Sequence, residues 1–374
     1  MSKHSILPAT QKALARLSKI QGNDRCVLTV YFPDALLHGE KARDKLAELP
    51  AGLLPVKGLT ADELEHYRRS LKLWGATIRK TDFPKAVAWL GVVSWLTEEA
   101  FFVQLPATVE PEACLDNSAF LFPAARLIDD LEAYAVVYAD HARASIYLAA
   151  LEALEEEGKL RGDIKNHVRK GGWSQQRYER RRDKEIHNYC KAILAKLKEF
   201  VEAEKLHRII LAGDHILLSE LEKRMSPDIA EKVVCRLPMK DKLEPHEIYK
   251  STLPAAAEEE KREELWLKNS IIGEHAAGGR AVTGAADTLA ALEEKRVRRL
   301  LIGSLDNVEF WRCASCGESG LGQQPACPEC AGKTYSQDAA NEFTDLAFEA
   351  RSRVEFAGSD SLAEMGGVGA LLRW

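Results

Sequence analysis

Cys313-Ala-Ser-Cys316, ten intervening residues, then Cys327-Pro-Glu-Cys330 leave the last third of this chain few ways to fold. Two Cys-x-x-Cys turns let four thiolates converge tetrahedrally on one zinc ion, and Gly317 and Pro328 suit the tight turns involved. Four protein ligands leave no open position for water, so the expected site is structural, and an insert over about 310–335 is expected to unravel without its metal. Free thiols or redox pairs are the competing reading; disulfides fit a reducing compartment poorly. Cys26, Cys114, Cys190 and Cys235 stand alone in apolar segments and are expected in cores.

A chain of 374 residues is too long for one core, and 46% hydrophobic residues supply several. Short β-rich runs alternate with helical ones throughout, which predicts an α/β fold of three α/β domains. The expected divisions are 1–127, 128–252 and 253–374, the last carrying the zinc ribbon-like knuckle pair. Strands are predicted over 25–32, 86–96, 101–105, 133–139, 144–151, 207–213, 233–235, 298–303 and 353–357. Helices are predicted over 60–79, 175–205, 216–225, 253–274, 283–295 and 339–351, with Ser174 as the N-cap of the second. The longest apolar run, 86–96, is far short of the roughly 20 residues of a membrane span. Residues 1–18 lack the apolar core of a secretory signal, so the expected compartment is the cytosol, with no membrane partner.

The net charge of -5 hides a local asymmetry: Lys159 to Lys184 carries ten Lys and Arg against three acids, +7 locally and -12 elsewhere. A solvated helix face is the plain explanation. The other is a segment steered toward a polyanion. Within it, His167-Val-Arg169-Lys170-Gly171-Gly172-Trp173-Ser174-Gln175-Gln176-Arg177-Tyr178-Glu-Arg180-Arg181-Arg182 joins a glycine pair to a cationic helix start. Glycines let backbone amides approach a ligand, helix N-termini favour phosphate, and arginines add salt-sensitive attraction. Neither a P-loop nor a dinucleotide fingerprint is present. His187, His207 and His215 lack ligand spacing and read as ordinary helix or core histidines, while Asp183 and Glu185 are expected to pair with the neighbouring arginines.

Gly171, Gly172, Ser174, Arg177, Tyr178 and Arg180 resemble the Gly-Gly-Gln loop and basic helix start of the archaeo-eukaryotic class I peptide-chain release factors and their Pelota-like relatives. Two further stretches, 281–302 and the tail Gly366-Gly367-Val368-Gly369-Ala370-Leu371-Leu372-Arg373-Trp374, are similar to that family's C-terminal domain, which often holds a Cys-x-x-Cys insert at this place. The N-terminal module resembles the bacterial branch. It has no Asn-Ile-Lys-Ser tetrapeptide, so stop-codon reading is not implied. The resemblance implies a ribosome A-site binder that contacts rRNA and the peptidyl-tRNA acceptor end. It implies RNA contacts from Arg169, Lys170, Trp173, Gln176, Arg177, Arg180, Arg181 and Arg182. It also implies a translational GTPase partner for the C-terminal domain and a monomer off the ribosome.

In the family the third loop residue is the glutamine that lines the hydrolytic site; here it is Trp173. Gly171, Gly172, the Trp173 amide and Gln175 are the candidate catalytic groups, Ser174-Gln175 being similar to the shifted Gly-Ser-Gln loop of eukaryotic quality-control peptidyl-tRNA hydrolases. Trp173 as a hydrophobic plug and Trp173 stacked on an RNA base are both open readings. Three functions follow: peptidyl-tRNA hydrolysis in ribosome rescue; non-hydrolytic hibernation or protection that occludes the peptidyl-transferase centre; or another RNA-binding or host-defence role that keeps only the fold.

Overall fold

A computed structural model describes residues 6–22, 24–54, 59–130, 133–150, 153–161, 174–204, 206–239, 243–358 and 362–374. The chain is mixed α/β. Its first segment runs α1 (Ile6–Leu17), β1 (Val27–Pro33), α2 (Ala42–Leu53), α3 (Ala61–Lys80), β2 (Ala88–Ser94), β3 (Glu99–Leu105), β4 (Glu112–Asp116) and α4 (Phe122–Asp130). The four strands form an antiparallel sheet in the order β3-β2-β1-β4. Thr60 explains where α3 begins: its hydroxyl accepts from the Glu63 N–H, and the Glu63 carboxylate accepts from the Thr60 N–H, a capping box that satisfies two otherwise orphaned donors. Three turns on, Trp74 is fully buried with Leu28, Val30 and Phe32, and donates its indole N–H to Leu46 O at 2.9 Å.

The central segment carries β5 (Tyr134–Ala139), β6 (Arg143–Ala150), β7 (Ala153–Arg161), α5 (Ser174–Ala203), β8 (Ile209–Gly213), α6 (His215–Glu222), α7 (Pro227–Ala230), β9 (Val233–Pro238) and α8 (Pro245–Ala276). Its sheet, β7-β6-β5-β8-β9, is antiparallel on the β6 and β7 side and parallel from β5 through β9. The expected mixed sheet is therefore present. Helix α5 lays Ile186, Tyr189, Cys190, Ile193, Leu197 and Val201 on that sheet, the three-and-four spacing read in the sequence.

The last segment contains β10 (Ala281–Thr283), α9 (Ala285–Glu293), β11 (Val297–Ile302), β12 (Phe310–Cys313), β13 (Ser319–Leu321), β14 (Thr334–Gln337), α10 (Ala339–Glu349), β15 (Arg353–Phe356) and β16 (Val368–Leu372). Here the sequence reading needs correction. Helix α9 starts two residues late because 281–283 is a strand, and the glycine-rich C-terminal stretch holds a strand that was not expected. It is β16, antiparallel between β10 and β11 with Val368, Ala370 and Leu372 in the core. Gly367, at φ 84°, makes that fit possible: a Cβ there would lie 2.3 Å from Ser304 O. Helix α8 begins at Pro245, eight residues before the predicted start.

The chain separates into two compact units, 131–263 and the combination of 1–130 with 264–374. The sequence divisions near 127 and 252 both fall inside helices, α4 and α8. Within the discontinuous unit, a buried polar network joins β4 and the loop after it to α10 and β14. Asn341 Oδ1 accepts from the Leu121 N–H at 2.7 Å, Ser118 donates to Asp345 at 2.7 Å, and Gln337 Nε2 donates to Asp116 at 3.0 Å. Arg25, paired with Glu63 at 2.7 Å, sits 4.7 Å from the Tyr335 ring centre.

Burial pushes the Asp116 carboxyl up to about 6, against the lowering effect of the Asn117 N–H and the Gln337 amide; burial also raises Asp345. A carboxyl raised in the folded state binds its proton more tightly there than in the unfolded chain. Its stabilising contribution is full below the unfolded value of 3.8 and disappears as pH rises to about 6. Asp116→Asn is therefore expected to gain up to about 3 kcal/mol on wild type between pH 4 and 7. Urea unfolding at the two pH values measures this, and an identical pH slope in both proteins would refute it.

Candidate functional site

Two places gather chemistry-bearing residues, one in each unit. In the discontinuous unit, β12 and β14 pair antiparallel, and β13 completes a three-stranded sheet from which the four cysteines converge. Each Cys-x-x-Cys forms a turn closed by backbone: the Gly317 N–H donates to Cys313 O at 3.1 Å, and the Ala331 N–H to Cys327 O at 2.9 Å. The residue after the second cysteine of each turn is left-handed, Gly317 at φ 78° and Ala331 at φ 56°. Gly317 plays the part expected of it, whereas in the second turn the demanding position falls on Ala331 rather than Pro328.

The four sulfurs lie within 4.8 Å of one another, with Cys313–Cys330 and Cys316–Cys327 at 3.5 Å and Cys316–Cys330 at 3.4 Å. A regular tetrahedron about a metal with bonds of about 2.3 Å has sulfurs about 3.8 Å apart. The cluster is thus of the size that one ion holds. Burial alone would raise the Cys313 thiol, but the N–H groups of Cys316 and Ser315 and the adjoining thiols bring it down to about 6, whereas Cys316 and Cys330, which share protons with their neighbours, are raised. Cys313 and Cys327 are buried and Cys316 and Cys330 exposed. Among the described residues, this is the one group of three or more metal-ligating side chains so arranged. Of the isolated cysteines, Cys26 and Cys190 are in cores as expected; Cys114 and Cys235 are only half-buried.

In the central unit, Arg169, Lys170, Gly171, Gly172 and Trp173 lie outside the described residues. Gln175, Gln176 and Arg177 fall in the first turn of α5, where the backbone alone is described; Ser174 is itself helical, not the cap. The first side chains described are those of the arginine triplet. Arg180 and Arg181 are exposed and Arg182 half-buried. Arg181 donates to Glu185 at 3.1 Å, a surface pair one turn apart, and the Arg182 Nε–H has no partner among the described residues. Two of the three guanidiniums are thus directed to solvent, and a surface pair of Arg181's kind is worth at most about 1 kcal/mol, too little to withhold it from a phosphate.

His187, His207 and His215 are all exposed, so none is a core histidine. His187 accepts at Nδ1 from the Arg224 guanidinium at 3.3 Å. The sequence reading did not single out Lys191, Lys198 and Arg224, which line an open groove with His187 beside α5. Lys191 stands four residues after His187 and Lys198 seven after Lys191, spacings that share one helix face, whereas Arg224, beyond α6, carried no such signal. No helix among the described residues is long and apolar enough to cross a membrane.

Residues 120–257 match the family described as bacterial archaeo-eukaryotic release factor family 10, a span that takes in the whole glycine-loop segment and α5. The peptide chain release factor subunit 1 of Pyrococcus abyssi is 26% identical over an aligned length of 439, taking in 100% of each chain. Its namesake from Methanobrevibacter smithii is 23% identical over 69% of each. Solved structures similar to the chain include an archaeal translation termination factor, aRF1, 15% identical over 98% of each chain with a TM-score of 0.25. Dom34 of S. cerevisiae, described as a translation termination-like factor, is 12% identical over 76% of this chain and 79% of its own, with a TM-score of 0.42. With the loop segment inside the matched region and the sequence likeness to the relative from Pyrococcus abyssi taking in the whole of both chains, the proteins this chain is similar to are release factors of the archaeo-eukaryotic type.

Proposed function

We propose that the protein is a cytoplasmic translation factor that enters the ribosomal A site and acts in the rescue of stalled ribosomes, presenting residues 169–182 to the acceptor end of peptidyl-tRNA. The observation that carries this reading is the family match over 120–257, which contains both the Gly171-Gly172 pair and the solvent-facing arginines of α5. Arg169, Lys170, Gln176, Arg177, Arg180, Arg181 and Arg182 hold RNA through charge and hydrogen bonds. The glycines allow close backbone approach to the ester. Water adds to the carbonyl carbon, the tRNA ribose oxygen leaves with a proton, and the Trp173 N–H stabilises the oxyanion while Gln175 positions the water.

Trp173 favours a second reading, in which the indole fills the peptidyl-transferase centre of an idle ribosome and protects it without hydrolysis. The four cysteines hold one structural zinc, and the C-terminal segment docks a translational GTPase, the latter resting on family likeness alone. Ribosomes carrying labelled peptidyl-tRNA separate the readings. Rescue predicts released peptide, with the rate falling at least about tenfold in Gly172→Ala and in Gln175→Ala, since each removes a positioning element of the attack. Tight binding with no release selects protection; absence of ribosome binding ends both.

A further inference from the structure

Helix α5 carries a second basic feature, separate from the glycine loop. At 100° per residue, Arg180, Lys184, His187, Lys191 and Lys198 recur along one flank, while the core-facing Ile186, Ile193 and Leu197 point well away from it. The flank extends about 27 Å at 1.5 Å per residue. Arg180, Lys184 and Lys191 are exposed and make no ion pair among the described residues.

At the far end of the flank a groove of about 610 Å³ opens beside α5, its apolar floor made by Leu194 and Ile229 and its rim by His187, Lys191, Lys198 and Arg224. Two of these cations are already braced: Arg224 by Glu220, and Lys198 by Asp228 at 3.6 Å and Glu202 at 3.8 Å. The Arg224 Nε–H, donated to His187 Nδ1, leaves Nε2 as the ring nitrogen that carries a proton outward. Attraction for an anion therefore comes from Arg180, Lys184 and Lys191, with Asp183 and Glu185 flanking the first two.

We propose that this flank is a track for an RNA phosphate backbone, and that the groove seats one unpaired nucleotide, its base against Leu194 and Ile229 and its phosphate on Lys191. The inference rests on the ribosome-binding reading and deepens it, adding a contact that shares Arg180 with the triplet and runs on through Lys184 to Lys191. Cations without ion pairs set about 6 and about 10.5 Å apart along one helix flank suit a polymer that carries a charge on every unit. An apolar floor beside them suits the face of a base, which any sequence presents.

The test uses the full chain, with ribosomes and with protein-free large-subunit rRNA as separate probes. Lys184→Glu/Lys191→Glu is compared with Lys45→Glu/Lys72→Glu, which changes net charge equally at exposed positions in the other unit. The flank variant is expected to bind both probes at least about tenfold more weakly at fixed salt, and its slope of log affinity against log salt is expected to drop by about 1.5, two phosphate contacts' worth. The control should stay within about twofold of wild type. Equal losses in the two variants would overturn the track and leave ribosome binding standing. So would a flank effect seen with ribosomes but not with bare rRNA, which would mark an acidic protein as the partner. Failure of wild type to bind either probe would remove the underlying reading itself.

Discussion

Stripping metal from the four cysteines, by chelation or by Cys313→Ser, is expected to unfold the β12-β13-β14 sheet as a unit. That sheet has almost no apolar core of its own: its buried cluster is Trp311 with Cys313 and Cys327, so two of its three members belong to the four-thiol cluster. Structural zinc of this type supplies apparent binding energies of about 10–16 kcal/mol, far more than one buried indole. Without a cation, converging thiolates repel one another and the left-handed Ala331 keeps its strain of about 1 kcal/mol. The loss should spread, because Tyr335 lies against Arg25 and Gln337 against Asp116. Hydrogen exchange with and without chelator measures it: protection at 310–337 should vanish and that at 112–118 weaken, while α5 keeps its own. Unchanged protection in demonstrably metal-free protein would overturn the structural role.

Replacement of Arg180, Arg181 and Arg182 by Ala is expected to lower ribosome co-sedimentation by two orders of magnitude or more between 50 and 200 mM salt. Each phosphate contact contributes about 0.7–0.9 to the slope of log affinity against log salt, so three lost contacts flatten it by about 2–3. Folding stability should change little. The one ion pair removed, Arg181–Glu185, is a surface pair worth at most about 1 kcal/mol, and alanine is a good helix former at all three positions. Thermal unfolding therefore serves as the internal control. Undiminished binding by a folded triple variant would mean that the triplet does not face RNA.

How much of this was legible in the sequence depends on whether a signal was local. Helix α3 announces itself through Thr60 and Glu63, and α5 through its apolar period; both need only neighbouring residues. The cysteines likewise declare their convergence by spacing. Strand β7 was missed because Ala153–Arg161 holds three glutamates and a glycine, a composition poor in strand formers; pairing with β6 supplies the missing stabilisation at a sheet edge. Strand β16 was not predicted because Gly366, Gly367 and Gly369 dilute the strand-forming residues around them, yet the left-handed backbone of Gly366 and Gly367 turns the chain into the middle of a sheet. The lysines of the α5 flank were visible as charges but were counted as a block ending at Lys184. Only the helix shows that Lys191 continues their line.

The polar network between α10 and the loop after β4 ties together residues more than 200 positions apart, Leu121 with Asn341 and Ser118 with Asp345. During synthesis the contiguous unit at 131–263 can complete its contacts while later residues are still being added, whereas the first sheet must wait for its last partners. Through that interval the carboxylate of Asp116 is free to stay hydrated, and the segment that will be sealed remains open to chaperones and proteases. A high contact order of this kind makes late docking the slow step of maturation, so the earliest-made part of the protein is among the last to become native.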